Sequence, residues 1–166
     1  MRTPRIVLAA ALAASAAALP AQTATDVGLR LGGGVLTVIY GQDCGPFSCT
    51  PVQAGPAAAG QPYNAYVYGA VQQPFALAID LDTNAPCIAI PGIANSLLLV
   101  NQPVTLAFGL TQGPSLSASC IVGRGSYVLQ FPNGTPAGVT FLLQAVAVSR
   151  ALNQPAFTIA IRSVTA

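Results

Sequence analysis

The sequence contains no histidine, lysine, glutamate or tryptophan, and charged residues make up only 6% of the chain. General acid–base catalysis uses histidine, glutamate, aspartate, lysine, tyrosine or cysteine, so half of the side-chain types for such chemistry are missing. A serine nucleophile such as Ser115, Ser117 or Ser119 would find neither a histidine nor a lysine to act as its base. This inventory predicts a protein that is not an enzyme and that uses no cofactor.

The first residues have the layout of a secretory signal peptide. Arg2 and Arg5 are followed by an uncharged run rich in alanine and leucine at residues 6–19. A membrane-spanning helix needs about 20 apolar residues, so an uncleaved membrane anchor is the less favoured alternative. We expect cleavage after Ala21, with Ala24 as the second choice, and no transmembrane segment in the mature chain. The mature protein is then secreted to the periplasm, the cell envelope or the medium.

Residues 22–166 are expected to form one domain without net charge. Of the chain's six arginines and four aspartates, two arginines lie in the predicted signal peptide, which leaves four charges of each sign. A neutral domain does not attract nucleic acid or anionic lipid electrostatically, so we expect neither as a partner. Lysine, which commonly protects exposed strand edges, is absent. We therefore expect the domain to associate with itself or with another envelope protein.

The four cysteines, Cys44, Cys49, Cys87 and Cys120, are expected to form two disulfides. An even number of cysteines in an exported chain is typical of a disulfide framework, and four cysteines allow three pairings. We favour Cys44–Cys49, which closes a short loop, together with Cys87–Cys120, which closes a long one. A structural zinc site is the less favoured alternative because the chain has one Cys-x4-Cys pair and no histidine.

Apolar residues alternate with polar or small residues along most of the chain after residue 30. This pattern gives each of several short strands one apolar face. The clearest runs are residues 75–81, 104–110, 126–131 and 157–162, and further candidates are residues 35–40, 63–70, 87–90, 97–100 and 139–148. Prolines recur between the runs, which is typical of strand borders because proline has no N–H to donate to the ladder. The pattern predicts an all-β fold, a single antiparallel β-sandwich of about eight or nine short strands.

Three features of the chain carry more specific expectations. Residues 139–148 are apolar on both faces except at Gln144, which is typical of a central strand. The pair Asn133-Gly134 favours a tight turn and predicts a hairpin between the strands on either side. The glycine- and alanine-rich segments 28–34 and 54–60 are interpreted as loops or linkers.

Asp80, Asp82 and Asn84 are the candidates for a cation site. Oxygen ligands at alternate positions suit a hard cation such as calcium, but the glycine and the terminal glutamate of a calcium loop are absent. We therefore favour the alternative, in which these residues form the solvent face of the strand at 75–81 and the turn that follows it. On this interpretation the protein holds no metal.

Tyr63, Tyr66 and Tyr68 form the one aromatic cluster of the sequence. Alternation places Tyr66 and Tyr68 on one face of a strand with Asn64, and Tyr63 on the other face. Exposed tyrosines can stack on sugars, so Asn64, Tyr66 and Tyr68 are candidate carbohydrate-binding residues. Ordinary packing is the favoured alternative, because a buried tyrosine needs only one polar partner.

The second half of the chain resembles a type of short exported protein of unknown function that is common in planctomycete-like bacteria. The residues that carry the resemblance are Ala85-Pro86-Cys87, residues 127–133 (Tyr-Val-Leu-Gln-Phe-Pro-Asn), residues 138–145 (Gly-Val-Thr-Phe-Leu-Leu-Gln-Ala) and Asn153. The resemblance covers roughly residues 85–166 and lacks the usual Ser-Asn pair in the final segment. It implies only a C-terminal sandwich half in an exported protein and does not point to any activity.

The inert set of side chains and the uncharged surface favour a structural or interaction protein. We expect a component of the cell envelope or extracellular matrix. The alternative is a carbohydrate-binding module that uses the face of Tyr66 and Tyr68.

Overall fold

The structure, a computed structural model, describes residues 22–33, 36–81, 86–115 and 120–166. The predicted signal peptide at residues 1–21 and the candidate cation ligands Asp82 and Asn84 lie outside these described residues. Every regular element within them is a β-strand, which confirms the all-β prediction. The same ranges contain no helix that is long and apolar enough to cross a membrane.

The strands of the described residues are short, from two to ten residues each. In chain order they are β1 (Gly28–Gly33), β2 (Leu36–Gln42), β3 (Val52–Gln53), β4 (Pro62–Gly69), β5 (Pro74–Leu81), β6 (Ile88–Ala89), β7 (Ser96–Leu97), β8 (Val104–Leu110), β9 (Gln112–Pro114), β10 (Gly123–Gln130), β11 (Thr140–Ser149), β12 (Gln154–Phe157) and β13 (Ile161–Val164).

These strands form three sheets, and almost all neighbouring strands are antiparallel. A five-stranded sheet has the order β2-β1-β4-β10-β9, and a six-stranded sheet has the order β3-β13-β11-β5-β8 with β12 also paired to β11. The strands β6 and β7 form a small third sheet, and β3 pairs with β13 in parallel. The predicted single sandwich of eight or nine strands is therefore corrected to more strands in several sheets. Of the strands that no predicted run covers, β3 and β9 are two and three residues long, too short to show a period in the sequence.

The two large sheets share one hydrophobic core. Alternate residues of β4, including Tyr63, Ala65 and Val67, are buried with Leu77 of β5 and Leu143 of β11 in a single cluster. Burying one such side chain stabilises the fold by about 1.5–3 kcal/mol. The period-two pattern of the sequence thus places one apolar face of each sheet against the other.

The longest strand, β11, lies between β13 and β5, which confirms the predicted central strand. Its buried Gln144 side chain accepts a hydrogen bond from the Leu98 N–H (2.8 Å) and donates to the carbonyls of Ser96 and Thr158 (both 2.9 Å). A buried amide is tolerated in a core when its polar atoms are paired in this way. Gln144 therefore holds the segment of β7 against the outer side of the sheet.

The predicted strand at residues 157–162 is wrong in one respect. The chain leaves the ladder at residues 158–160, so β12 and β13 are separate strands that pair with different halves of β11. At the break, the Thr158 hydroxyl accepts a hydrogen bond from the Ala145 N–H at 3.0 Å. A side-chain bond of this kind competes with the backbone ladder, and composition does not reveal it.

The glycine-rich segment at residues 28–34, interpreted above as a loop, contains β1, an interior strand of the five-stranded sheet. Leu29 and Leu31 are buried between its glycines. A Cβ atom at Gly28 would lie 2.3 Å from the Gln42 carbonyl oxygen and 2.4 Å from that of Asp43, so the glycine permits the end of β2 and the chain after it to pass close over β1. Glycine here reflects close backbone approach rather than a flexible linker.

The pair Asn133-Gly134 does form a turn, but the predicted hairpin is wrong. The preceding strand, β10, belongs to the five-stranded sheet and the following strand, β11, belongs to the six-stranded sheet. Gly134 and Gly138 have φ angles of 87° and 84°, a left-handed conformation that glycine adopts without strain. These positions let the connection carry the chain across from one sheet to the other.

Two disulfides are present, as predicted, but their pairing is different. Cys44 is bonded to Cys120, and Cys49 is bonded to Cys87, with Cα–Cα distances of 6.2 and 5.6 Å. Cys44 follows β2 and Cys120 precedes β10, two strands separated in the sheet by β1 and β4. The preference for Cys44–Cys49 rested on closeness in sequence, whereas the chain carries these two residues towards different sheets.

Candidate functional site

Polar side chains face outward at the centre of the five-stranded sheet. In β4, Tyr63, Ala65 and Val67 are buried in the core, whereas Asn64 and Tyr66 between them are partly exposed. This confirms that alternation divides the aromatic cluster between two faces. The outward-facing residues of β4 are therefore available to form a surface with the neighbouring strands.

The strands on either side of β4 add two arginines to this outer face. Arg30 of β1 and Ser126 of β10 lie directly opposite Tyr66, and side chains at opposite positions of an antiparallel pair share a face. Arg124 lies over Tyr66, with its guanidinium carbon 5.2 Å from the ring centroid. We name the group formed by Arg30, Asn64, Tyr66, Arg124 and Ser126 the Arg–Tyr face.

Positive charge on the Arg–Tyr face is only partly compensated. Arg30 Nη1 lies 3.9 Å from Asp43 Oδ2, an ion-pair distance that is too long for a hydrogen bond. Arg30 Nε is buried and has no hydrogen-bond partner among the described residues. Arg124 is exposed and forms no ion pair within the described ranges. Among the described residues, two guanidinium groups thus share one face with one ion-paired carboxylate, that of Asp43.

Tyr68 occupies a different environment from Tyr66. Its side chain is only 2% exposed, and it lies between Gly28 and Arg124 in the sheet. The backbone that follows β2 passes over Gly28, the cross-strand neighbour of Tyr68. Because its ring is not accessible to a ligand, Tyr68 is corrected from a candidate sugar contact to a packed residue. Ligand binding through Asn64 and Tyr66 stays a prediction.

Asp80 is not the solvent-facing residue that we expected. It is 4% exposed, and its two carboxylate oxygens accept hydrogen bonds from the backbone N–H groups of Asn101 (2.8 Å) and Gln102 (3.0 Å). Asp80 therefore anchors the loop that precedes β8. Across the described residues, no group of three or more histidine, cysteine or acidic side chains could hold a metal ion.

Asp26 also has a structural environment. Its Oδ1 accepts a hydrogen bond from the Ser149 hydroxyl at 2.6 Å, and its Oδ2 accepts one from the Ala151 N–H at 2.8 Å. These contacts join the start of the described chain to the turn after β11. The carboxylate is engaged with the fold on both oxygens, as in Asp80.

The edge strand β8 presents a second surface. It is the last strand of the six-stranded sheet and pairs only with β5 in the described part of the chain. Phe108 is 79% exposed, Val104 and Leu110 are also exposed, and the strand contains no charged residue. We name the strand Val104–Leu110, with its exposed side chains, the β8 edge.

A second long edge strand lies on the opposite flank of the molecule. The strand β2 ends the five-stranded sheet and exposes Val38 and Ile39. It approaches β3, which ends the six-stranded sheet on that side, whereas β9 follows β8 directly on the other side. The β8 edge and β2 therefore lie on opposite flanks.

Sequence reasoning identified Asn64 and Tyr66 but missed Arg30 and Arg124. Alternation does indicate that Arg30 points away from the buried pair Leu29 and Leu31. Alternation does not reveal which strands pair, because β1, β4 and β10 are distant in the chain and adjacent only in the sheet. The unusual exposure of Phe108 also depends on β8 being an edge strand.

No family model, curated protein or solved structure matches the chain.

Proposed function

We propose that this chain is an exported, non-catalytic protein that associates with copies of itself through the β8 edge, as a structural component of the cell envelope or extracellular matrix. The observation that carries this proposal is the exposure of Phe108, 79%, on an uncharged edge strand. Exposed strand edges without protecting charges are templates for pairing with another chain.

Export is supported by the two disulfides. Bonds of this kind form and persist in oxidising compartments such as the periplasm or the extracellular space. The arginines and the uncharged run at residues 2–19 add the layout of a signal peptide.

A non-catalytic role is supported by the environment of the groups that remain. All four cysteines are bonded in disulfides. The carboxylates of Asp26 and Asp80 accept hydrogen bonds that hold loops in place. These groups are therefore committed to the fold, and the sequence supplies no imidazole or amine side chain as a base.

A second copy of the chain is the partner that best fits the β8 edge. A two-fold axis places β8 of one copy antiparallel to β8 of the other, so each unpaired backbone N–H meets a backbone carbonyl of the second copy. The neutral strand avoids the repulsion that like charges would cause. A register shift opposite Leu77 and Ala78 interrupts β8 at Leu106, so regular pairing is expected over residues 107–110. Phe108 lies within this segment.

The proposal is tested by sedimentation velocity over a range of concentrations, with Phe108→Lys and Ile121→Lys. Lysine at position 108 should abolish association, because it places charge on the pairing edge. Ile121 is 73% exposed but lies outside every strand, so Ile121→Lys should associate like the wild type. A wild-type protein that is monomeric at every concentration, or equal association of both variants, contradicts the proposal.

Carbohydrate binding is the second candidate function. It is favoured by the Arg–Tyr face, where Tyr66 and Asn64 share an outward surface with Ser126. An aromatic ring with adjacent amide and hydroxyl groups can recognise both the C–H face and the hydroxyls of a sugar. This function and self-association use different sheets, so they do not exclude each other.

A further inference from the structure

The guanidinium of Arg124 is held in a position suited to an anionic ligand. Its guanidinium carbon lies over the Tyr66 ring, 5.2 Å from the centroid, which is a cation–π contact. Such a contact involves no oxygen acceptor, so N–H donors of the guanidinium remain for a ligand. No carboxylate of the described residues forms an ion pair with it. Its donors are therefore charged and available to a ligand.

Arg30 adds a second charge on the other side of Tyr66. The cross-strand pairing of Arg30 with Tyr66 places both side chains on the same face. Its buried Nε donor has no hydrogen-bond partner among the described residues, and buried donors without a partner are rare in folded proteins. Asp43, at 3.9 Å, supplies charge but no hydrogen bond.

The surroundings of the two arginines suit a sugar ring rather than an isolated ion. Val128 of β10 and Ile39 of β2 are exposed beside Asn64 and Gly32 on this face. Apolar side chains of this kind can pack against the C–H groups of a sugar, whereas Asn64 and Ser126 offer hydrogen bonds to hydroxyls. The strands β1, β4 and β10 hold these groups in fixed register.

We infer that the Arg–Tyr face binds an acidic polysaccharide, whose carboxylate or sulfate groups are held by Arg30 and Arg124 and whose sugar ring packs beside Tyr66. The inference rests on the second candidate function proposed above and adds the charge of the ligand. Arginine forms paired, charge-assisted hydrogen bonds with carboxylates and with tetrahedral oxyanions. Self-association through the β8 edge is independent of it.

The test is titration calorimetry of the full chain, produced by export, with polygalacturonate as the carboxylate probe and dextran sulfate as the sulfate probe. Dextran is the neutral control and polyglutamate the acidic peptide control. Binding of an acidic polysaccharide should be weaker at high salt, because exposed charges are screened. Arg124→Gln should weaken it about tenfold or more, the effect expected on losing a charge-assisted hydrogen bond.

Arg150→Gln is the matched control variant. Arg150 is also exposed, but it lies in the turn after β11 of the other sheet, so its replacement should leave binding within about twofold of wild type. Equal losses in the Arg124 and Arg150 variants would show general charge attraction and overturn the inference. Equal or tighter binding of polyglutamate overturns it in favour of an acidic peptide.

Two outcomes separate this inference from the broader function. Dextran binding that is lost in Tyr66→Ala but unchanged in Arg124→Gln overturns the acidic ligand and retains the carbohydrate-binding function. No binding of any of the polysaccharides overturns both. The comparison of the two acidic polysaccharides identifies which oxyanion the face prefers.

Discussion

Asn95 shows how a single side chain joins distant parts of this fold. Its Oδ1 accepts a hydrogen bond from the Ala24 N–H (3.0 Å), and its Nδ2 donates to the carbonyls of Ala24 (3.1 Å) and Phe157 (2.7 Å). The residue is buried and has a φ angle of 62°. Asparagine tolerates this left-handed conformation better than most residues. It thereby attaches the start of the described chain to β12.

Replacing Asn95 should separate the hydrogen bonds from the backbone conformation. We expect Asn95→Ala to lower the free energy of unfolding by about 1–3 kcal/mol for each buried group left unpaired, with a further loss from the positive φ angle. Asn95→Gly removes the same hydrogen bonds but accepts this φ angle without strain, so it should be less destabilising than alanine. Urea unfolding of the three proteins measures both effects.

A loss below about 0.5 kcal/mol in both variants, the range of ordinary surface substitutions, would contradict the role given to the Asn95 side chain. Equal losses in both would show that the hydrogen bonds dominate and that the φ angle costs little.

At the scale of strands, the sequence predicted those elements whose residues alternate over a long run. The strands β5, β8 and β10 fall at or near the runs identified from alternation. The glycine-rich β1 was missed because its signal is reduced to Leu29 and Leu31. The break at residues 158–160 was missed because it depends on the hydroxyl of Thr158 meeting β11. Such features arise from contacts between strands, which a period along one strand does not contain.

Glycines in the strands provide a graded test of this close packing. A Cβ at Gly28 would lie 2.3 Å from a backbone oxygen, one at Gly32 would lie 3.0 Å from the Ile39 side chain, and one at Gly113 meets nothing within 4 Å. We expect Gly28→Ala to destabilise the protein by about 1–3 kcal/mol, as overpacking does. Gly32→Ala should cost less because a side chain can move, and Gly113→Ala should be close to neutral.

Thermal unfolding of the three glycine variants measures this order. If Gly28→Ala were as stable as Gly113→Ala, the chain after β2 could not lie as close to β1 as the structure places it.

At the scale of the whole molecule, only half of the candidate site could be predicted from the sequence. Tyr66 and Asn64 lie in one strand, so their shared face follows from alternation alone. Arg30 and Arg124 reach them through pairings between strands that are far apart in the chain. The predicted pairing of the cysteines was wrong for the same reason, since Cys44 is bonded to Cys120 across a sequence separation of 76. Proximity in three dimensions depends on topology, which the sequence constrains weakly.

Each disulfide should contribute substantially to stability, because each closes a long loop. The sequence separations are 76 for Cys44–Cys120 and 38 for Cys49–Cys87. The chain-entropy estimate gives about 4 kcal/mol for loops of this length. Replacing both cysteines of either pair with serine should therefore lower the free energy of unfolding by a similar amount, measured in urea.

Peptide mapping of the unreduced wild type provides the control for the pairing itself. After cleavage at Phe47, which separates Cys44 from Cys49, peptides joined by a Cys44–Cys49 or a Cys87–Cys120 bond would contradict the observed connectivity. A loss of stability in only one of the two double variants would contradict the loop-closure account.

The nested order of the disulfides has a consequence for resistance to proteolysis. The Cys44–Cys120 bond encloses the Cys49–Cys87 bond, so a protease that cuts the backbone once anywhere between residues 44 and 120 releases no fragment. Even two cuts, one between residues 49 and 87 and one between residues 87 and 120, leave three pieces joined by two sulfur bridges. With the neighbouring pairs Cys44–Cys49 and Cys87–Cys120, one cut between residues 49 and 87 would instead have divided the covalent chain in two.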